Sequence, residues 1–402
     1  MTAVLPSLGV VVGPGAATVF DVMKNAEGLA NPVFLFDEAD TDLFALRDQL
    51  AEMSSCRTVR HGRVERGEDL DGIVTFSESK VTLTAEVAAH HELAYHSPET
   101  AHRVRDKGAQ RAALAAAQIE VRCGIARDPG EVIPIIDRLG GPCIIKPLDG
   151  LGSRHTYSCA PDIALPDLPA DAFPMIVEEL LPTGAHPEHD DLADYVSVET
   201  IFHEGEPHHL AITDKLPLAS PFRETGYVFP STLPTAVQGD LFAMTERALD
   251  ALGITHGMTH TELKLTRGGK LAVIEVNARL GGFIGRLAEI ATGTSAVRHA
   301  LAAALGQARP PWPKVVQTAA HWMIPPPQDA TELASSVPVR ELKEIPGVLS
   351  VEVHRRAGSP VDYRQGTLAR VATVWYAGAT YPQVAETYRA ARHLIEERLQ
   401  WK

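Results

Sequence analysis

Three residues that could do chemistry alternate along a short strand: Glu275, Asn277 and Arg279 interleave with Ile274, Val276 and Ala278. Successive strand side chains point to opposite faces, so the apolar set belongs to a core and the polar set to a site. Residues 259–265 read as a second strand, and Gly268-Gly269 between the two is a two-residue hairpin signal. A turn in which Arg267 pairs with Lys270 and Thr266 with Leu271 carries the ladder on to Glu262 opposite Glu275 and His260 opposite Asn277. Two carboxylates at a Cβ separation of about 5 Å repel by roughly 3 kcal/mol at an effective dielectric of about 20. The pair can share a proton or splay into solvent, Lys264 can sit between them, or a divalent cation can bridge them. We favour the cation: Mg²⁺, with Mn²⁺ as the alternative, takes one or two carboxylates and completes its octahedron with phosphate oxygens and water. Asn277 adds a neutral oxygen, and Arg279 a fixed charge for a phosphoryl group or a carboxylate. Gly281 and Gly282 let the backbone approach a substrate closely. Phe283 is then either a wall of the pocket or a core aromatic heading the next helix.

A metal of this kind needs phosphates, and residues 140–158 offer a place for them. A buried strand ends in Lys146 and is followed by a loop containing Gly150, Gly152 and Ser153. The lysine can meet a phosphate while free loop N–H groups cradle its oxygens. The commoner alternative is a glycine hairpin beside a solvated lysine. The pattern is not GxxxxGK[ST], so a Walker loop is excluded. The strand at 174–182 follows, and its backbone from Glu178 through Glu179 to Leu181 can hydrogen-bond a purine edge.

The rest of the chain must position these elements. At 402 residues and 45% hydrophobic content it is long enough for two or three packed units. A formal charge of -14 argues against a nucleic-acid surface. Cys56, Cys123, Cys143 and Cys159 have neither zinc nor disulfide spacing. Without a leader or a membrane-length apolar run, a cytoplasmic location is expected and no membrane partner is implied. The first 96 residues alternate strands and helices as a small α/β unit. Gly13-Pro14-Gly15 has Thr18 where a dinucleotide fingerprint needs glycine, and reads as a strand-to-helix turn. Ser97-Pro98-Glu99-Thr100 starts a capped helix, which sets a boundary near 96. Proline-rich stretches at 308–314 and 323–329 bracket a connector to a final α+β segment.

Taken in order, these motifs resemble the ATP-grasp superfamily in its carboxylate-amine ligase branch, over roughly residues 97–310. The ordered set is Asp106-Lys107 with Arg111, Lys146 with the glycine loop, the hinge Val177-Glu178-Glu179-Leu180-Leu181, and the hairpin bearing Glu262, Glu275 and Asn277, closed by Arg279. The segments at 194–206, 211–234 and 253–265 are similar to those of bacterial L-amino acid ligases, which join amino acids into dipeptides. The resemblance implies an α/β and α+β architecture: a Rossmann-like pre-ATP-grasp domain at 1–96, an ATP-grasp domain at 97–315 and a C-terminal α+β cap at 316–402. Within the middle domain it implies a lid at about 110–176 and a metal hairpin at 260–279. It also implies ATP and Mg²⁺ as cofactors, with a small-molecule carboxylate and an amine as substrates; the alternatives are an ATP-grasp ligase with a non-amino-acid carboxylate or amine partner, and a nucleotide-binding protein without turnover. Lys107 and Lys146 would neutralise phosphate oxygens, and Arg279 would offset charge at the reacting centre. His260, Lys215 and Glu224 become candidate substrate contacts, the last two alternatively a surface ion pair. The usual ribose-binding glutamate is replaced by Tyr195 beside Asp194. The inserted loop 183–194 carries His186 and His189, either metal ligands or part of an exposed acidic loop. Homodimerisation through the cap stays open.

Overall fold

A computed structural model describes residues 4–65, 69–160, 165–307 and 312–402. Of the proline-rich connector at 308–314, residues 308–311 lie outside the described residues.

The N-terminal strands Ser7–Val11, Asn31–Asp37, Ser55–Arg60 and Gly72–Thr75 form a parallel sheet, edged by the short antiparallel strand Arg63–Val64. Its strands are apolar runs because both faces are covered; Leu8, Phe34, Leu35 and Phe36 are fully buried. The Gly13–Gly15 turn is structural, as the sequence suggested. A Cβ on Gly15 would fall 1.9 Å from the Phe76 carbonyl oxygen, and Thr18 caps the helix Val19–Ala26 in a reciprocal capping box with Asp21.

A four-stranded antiparallel sheet follows, in the order Cys123–Ala126, Met175–Glu179, Cys143–Pro147, Tyr157–Cys159. The helix Val132–Leu139 covers one face with Ile135, Ile136 and Leu139, and Gly140 ends it in the left-handed conformation at φ 70°.

The third sheet has eight antiparallel strands and passes without a break from the hairpin at 258–277 to the C-terminal segment. Its order is Leu271–Asn277, Met258–Leu265, Tyr195–His203, Glu206–Lys215, Gly226–Phe229, Thr318–Ile324, Ala372–Gly378, Val348–Val353. Strand alternation divides its two faces. Val196, Val198, Ile212, Leu263 and Val276 pack with Leu241, Ala248, Leu249 and Leu252 of the helix Thr235–Leu252. Ser197, Glu199, Thr213, Lys215 and Glu262 occupy the intervening positions and share the other face. Helices Ile284–Thr292 and Ala296–Ala304 share a core with the N-terminal helix Val19–Ala26, and the long helix Tyr381–Arg398 closes the C-terminal strands.

Candidate functional site

The hairpin pairs Glu262 with Glu275 and His260 with Asn277, as the alternation implied. The turn differs from expectation. Thr266 N–H donates to the Lys270 carbonyl at 2.8 Å, so Arg267-Gly268-Gly269 form a three-residue connection and Leu265 rather than Thr266 lies opposite Leu271. A bulge at Ile274 then absorbs one residue and restores the carboxylate pairing. Val273 joins Val276 and Ala278 in the core, and Ile274 leaves it. The carbonyls freed at the bulge are held by Arg111, whose two terminal nitrogens donate to Val273 O at 2.8 Å and Ile274 O at 2.7 Å.

Each carboxylate has a cation of its own. Lys107 Nζ lies 2.9 Å from Glu275 Oε1 and donates to the Gly150 carbonyl at 2.7 Å. Glu262 Oε1 lies 3.2 Å from His260 Nε2, while His260 Nδ1 lies 2.5 Å from Glu199 Oε1. Lys264 instead binds Asp194 at 2.6 Å, so it is not the bridge between the two glutamates. Burial would lower the His260 pKa, but the Glu199 carboxylate overrides it and raises it to about 9. Burial would likewise raise Glu262, yet the hydrogen bond from His260 holds its carboxyl at about 2. Glu199, His260 and Glu262 thus form one hydrogen-bonded row, with Glu199 and His260 buried. Gly281 admits it: a Cβ there would come within 2.3 Å of His260 Nδ1, and its N–H donates to Glu199 Oε2 at 3.1 Å. Gly282 has open space around it.

The four-stranded sheet supplies a second charged cluster. Glu178 Oε1 takes Arg111 Nε at 2.5 Å and its Oε2 takes Lys146 Nζ at 2.8 Å. Burial would raise this carboxyl; Lys146 and Arg111 hold it down at about 2. Glu179 binds the side chain and N–H of Arg122. Glu179 N–H donates to Arg122 O and Leu180 N–H to Pro142 O, which leaves Leu181 N–H as the free hinge donor among the described residues. In the glycine loop, Gly152 and Ser153 are left-handed, at φ 60° and 57°. The N–H groups of Leu151, Gly152 and Ser153 have no protein acceptor among the described residues. The loop is seated on the C-terminal segment Tyr363–Ala369: Thr367 N–H donates to Gly152 O at 2.9 Å and His155 N–H to Arg364 O at 3.0 Å.

Arg279 reaches back to the N-terminal unit, 2.9 Å from Glu78, which also binds Arg105 at 3.1 Å. Farther along the same sheet face, Lys215 and Glu224 form a pair at 3.6 Å. It is not a surface pair: Lys215 is 0% exposed and lies 3.3 Å over the Tyr227 ring centroid. Phe283, left-handed at φ 66°, packs 4.3 Å from His321 and 5.9 Å from Trp375. Glu78, Glu199, His321 and Trp375 were missed as site residues. Only Glu199 had a local signal, its alternation with Val196 and Val198.

The inserted loop is docked rather than exposed at its first histidine. His186 is buried 3.5 Å from Asp214 and stacks on His189, which leans on Tyr381. Among the described residues no three of His, Cys, Asp or Glu converge as a metal cage. The hairpin instead offers two carboxylates and an amide oxygen, the hard, incomplete donor set that suits Mg²⁺ with phosphate and water. The hydroxyl of Tyr195 is buried without a hydrogen-bond partner.

Residues 193–286 match the family model of the ATP-grasp domain. Alanine–anticapsin ligase of Bacillus subtilis is 26% identical over 237 residues, 53% of this chain and 49% of that relative. The match therefore spans about half the length of that protein. The L-arginine-specific L-amino acid ligase of Bacillus subtilis is 21% identical over 360 residues, 86% of this chain and 82% of the relative. The crystal structure of L-amino acid ligase from Bacillus licheniformis superposes with a TM-score of 0.74 at 20% identity, covering 100% of this chain and 99% of that one. No helix among the described residues is long and apolar enough to cross a membrane.

Proposed function

We propose that this chain, a protein of the ATP-grasp fold, is an ATP-dependent carboxylate-amine ligase that joins an amino acid or similar acid to an amine, releasing ADP and phosphate. The observation that carries this reading is the convergence of Glu262, Glu275 and Asn277 on one sheet face with Lys107, which spans from Glu275 to the glycine loop. Glu262, Glu275 and Asn277 would hold Mg²⁺, which supplies Lewis-acid charge at the phosphate oxygens. Lys107 and Lys146, which pair with Glu275 and Glu178, are placed to reach phosphate oxygens. The N–H groups at 151–153 cradle the triphosphate, and the Leu181 N–H meets the purine edge. The carboxylate oxygen of the donor takes the γ-phosphoryl group. A neutral amine then attacks the carbonyl carbon, and phosphate leaves as the amide forms. Arg279, anchored on Glu78, offsets negative charge on the tetrahedral intermediate. The seated glycine loop excludes water that would otherwise hydrolyse the acyl phosphate. The division into units at 96 and 315 is part of the same proposal. Incubating the protein with Mg-ATP and amino acids, singly and in pairs, tests it: phosphate release should require a carboxylate, and product mass should equal donor plus acceptor less water.

A further inference from the structure

Cross-strand pairing sets four residues in one transverse row: Lys215 lies opposite Tyr227, Tyr227 opposite His321, and His321 opposite Trp375. Directly opposed residues share a face. Lys215 follows Thr213 by two, and Thr213 lies opposite Ser197, which lies opposite Glu262. The aromatic row and the hairpin carboxylates therefore lie on one face of the sheet, with anions at one end and aromatics with cations at the other.

The cationic end is incompletely hydrogen-bonded from within. Arg286 lies 4.2 Å over Trp375 and pairs with Glu352. Arg370 lies 5.5 Å from the Phe283 ring, gives one hydrogen bond to the Thr367 carbonyl at 3.0 Å, and has its Nε buried without a partner. Lys215 Nζ is fully buried with no hydrogen bond, and its nearest carboxylate, Glu224, is already engaged by Tyr227 Oη at 2.8 Å. His321 is 0% exposed and both its ring nitrogens lack partners. Burial, then Lys215, Arg370 and Arg286 in turn, push its pKa well below the usual histidine range, and no carboxylate offsets them. The carboxylates that act on these cations are already engaged, Glu352 by Arg286, Glu224 by Tyr227 and Glu262 by His260, and the buried, unpartnered Nε of Arg370 is costly until an acceptor arrives.

We propose that this end of the floor binds a second anionic group of the donor, so that the donor is a dianionic acid with one carboxylate phosphorylated and the other held by Arg370 beside Phe283. The inference rests on the ligase reading and names its substrate class. Arg370 directly follows the segment on which the glycine loop is seated, so binding at this site and closure over the nucleotide would share one stretch of backbone.

The test uses the full chain with Mg-ATP and hydroxylamine, which captures an acyl phosphate as a hydroxamate whatever the natural amine is. Size-matched donors are compared: glutamate against glutamine, and succinate against succinamate. At least one dicarboxylate should be preferred over its monocarboxylate amide partner by about tenfold or more in kcat/KM, the scale of a charge-assisted hydrogen bond. Arg370→Gln should bring that ratio to within about twofold, and Arg370→Lys should retain most of it. Equal or better use of the monocarboxylate members by the wild type overturns the inference, as does a ratio unchanged in Arg370→Gln. Absence of hydroxamate from every acid would remove the ligase reading, and this inference with it, whereas hydroxamate from the monocarboxylates alone removes only the inference.

Discussion

Replacing Glu178 by Gln should destabilise the protein by about 3 kcal/mol at neutral pH, an amount obtained in two ways. The Glu178 carboxyl is held at about 2 against an ordinary 4.5, and that difference corresponds to about 3 kcal/mol by linkage. Because the folded-state value is depressed, this stability is fully present above pH 4.5 and is lost as pH falls through about 2. Independently, removing one partner of a buried ionic cluster costs about 3 to 5 kcal/mol. Glutamine can accept from only one of Arg111 and Lys146, and its amide N–H₂ faces the donors of the other. The assay is urea denaturation of wild type and variant, followed by circular dichroism at pH 7, 5 and 3. The gap should be about 3 kcal/mol at the first two values and less than half that at pH 3. A variant within about 0.5 kcal/mol of wild type at pH 7, the scale of an ordinary surface change, would refute the reasoning. So would a gap that fails to narrow on acidification.

Glu275→Gln should lower Mg²⁺-dependent turnover by at least about two orders of magnitude while leaving a folded protein; unchanged turnover would remove the hairpin from the chemistry. Gly366→Ala should unseat the glycine loop, since an added Cβ would fall 2.0 Å from Gly152 O in a backbone at φ 61°. The expected readout is ATP hydrolysis without amide formation, and tight coupling in this variant would count against the loop's sealing role. Phe283→Ala should shift the relative kcat/KM for large against small donors by about 1 to 3 kcal/mol, measured by pairwise competition. A fixed preference with reduced stability would make Phe283 a core residue only.

What was legible in the sequence was local. The two-residue period of strand side chains was enough to oppose Glu262 to Glu275, because apolar and polar positions alternate on both strands. The same reasoning missed the bulge at Ile274, since its freed carbonyls are satisfied by Arg111 from a helix more than a hundred and fifty residues earlier. It named a metal as the relief of carboxylate repulsion but not Lys107 and His260, the cations that relieve it in the protein itself. The two-residue turn was wrong because two adjacent glycines tolerate more than one loop length, and Thr266 closes the longer one. The pairing of Arg279 with Glu78 and the seating of Gly152 on Thr367 join segments with no shared periodicity. The row from Lys215 to Trp375 was out of reach for the same reason. Its members sit on four strands whose order in the sheet cannot be read from any one of them.

The central claim is that a carboxylate oxygen takes the phosphoryl group of ATP, and it is tested most directly by following that oxygen. A donor acid isotopically labelled in its carboxylate is turned over with Mg-ATP and the accepted amine, and the released nucleotide and phosphate are separated for mass spectrometry. The account predicts ADP as the stoichiometric nucleotide and one labelled oxygen in the inorganic phosphate. AMP carrying the label, or unlabelled phosphate accompanied by amide, would contradict it.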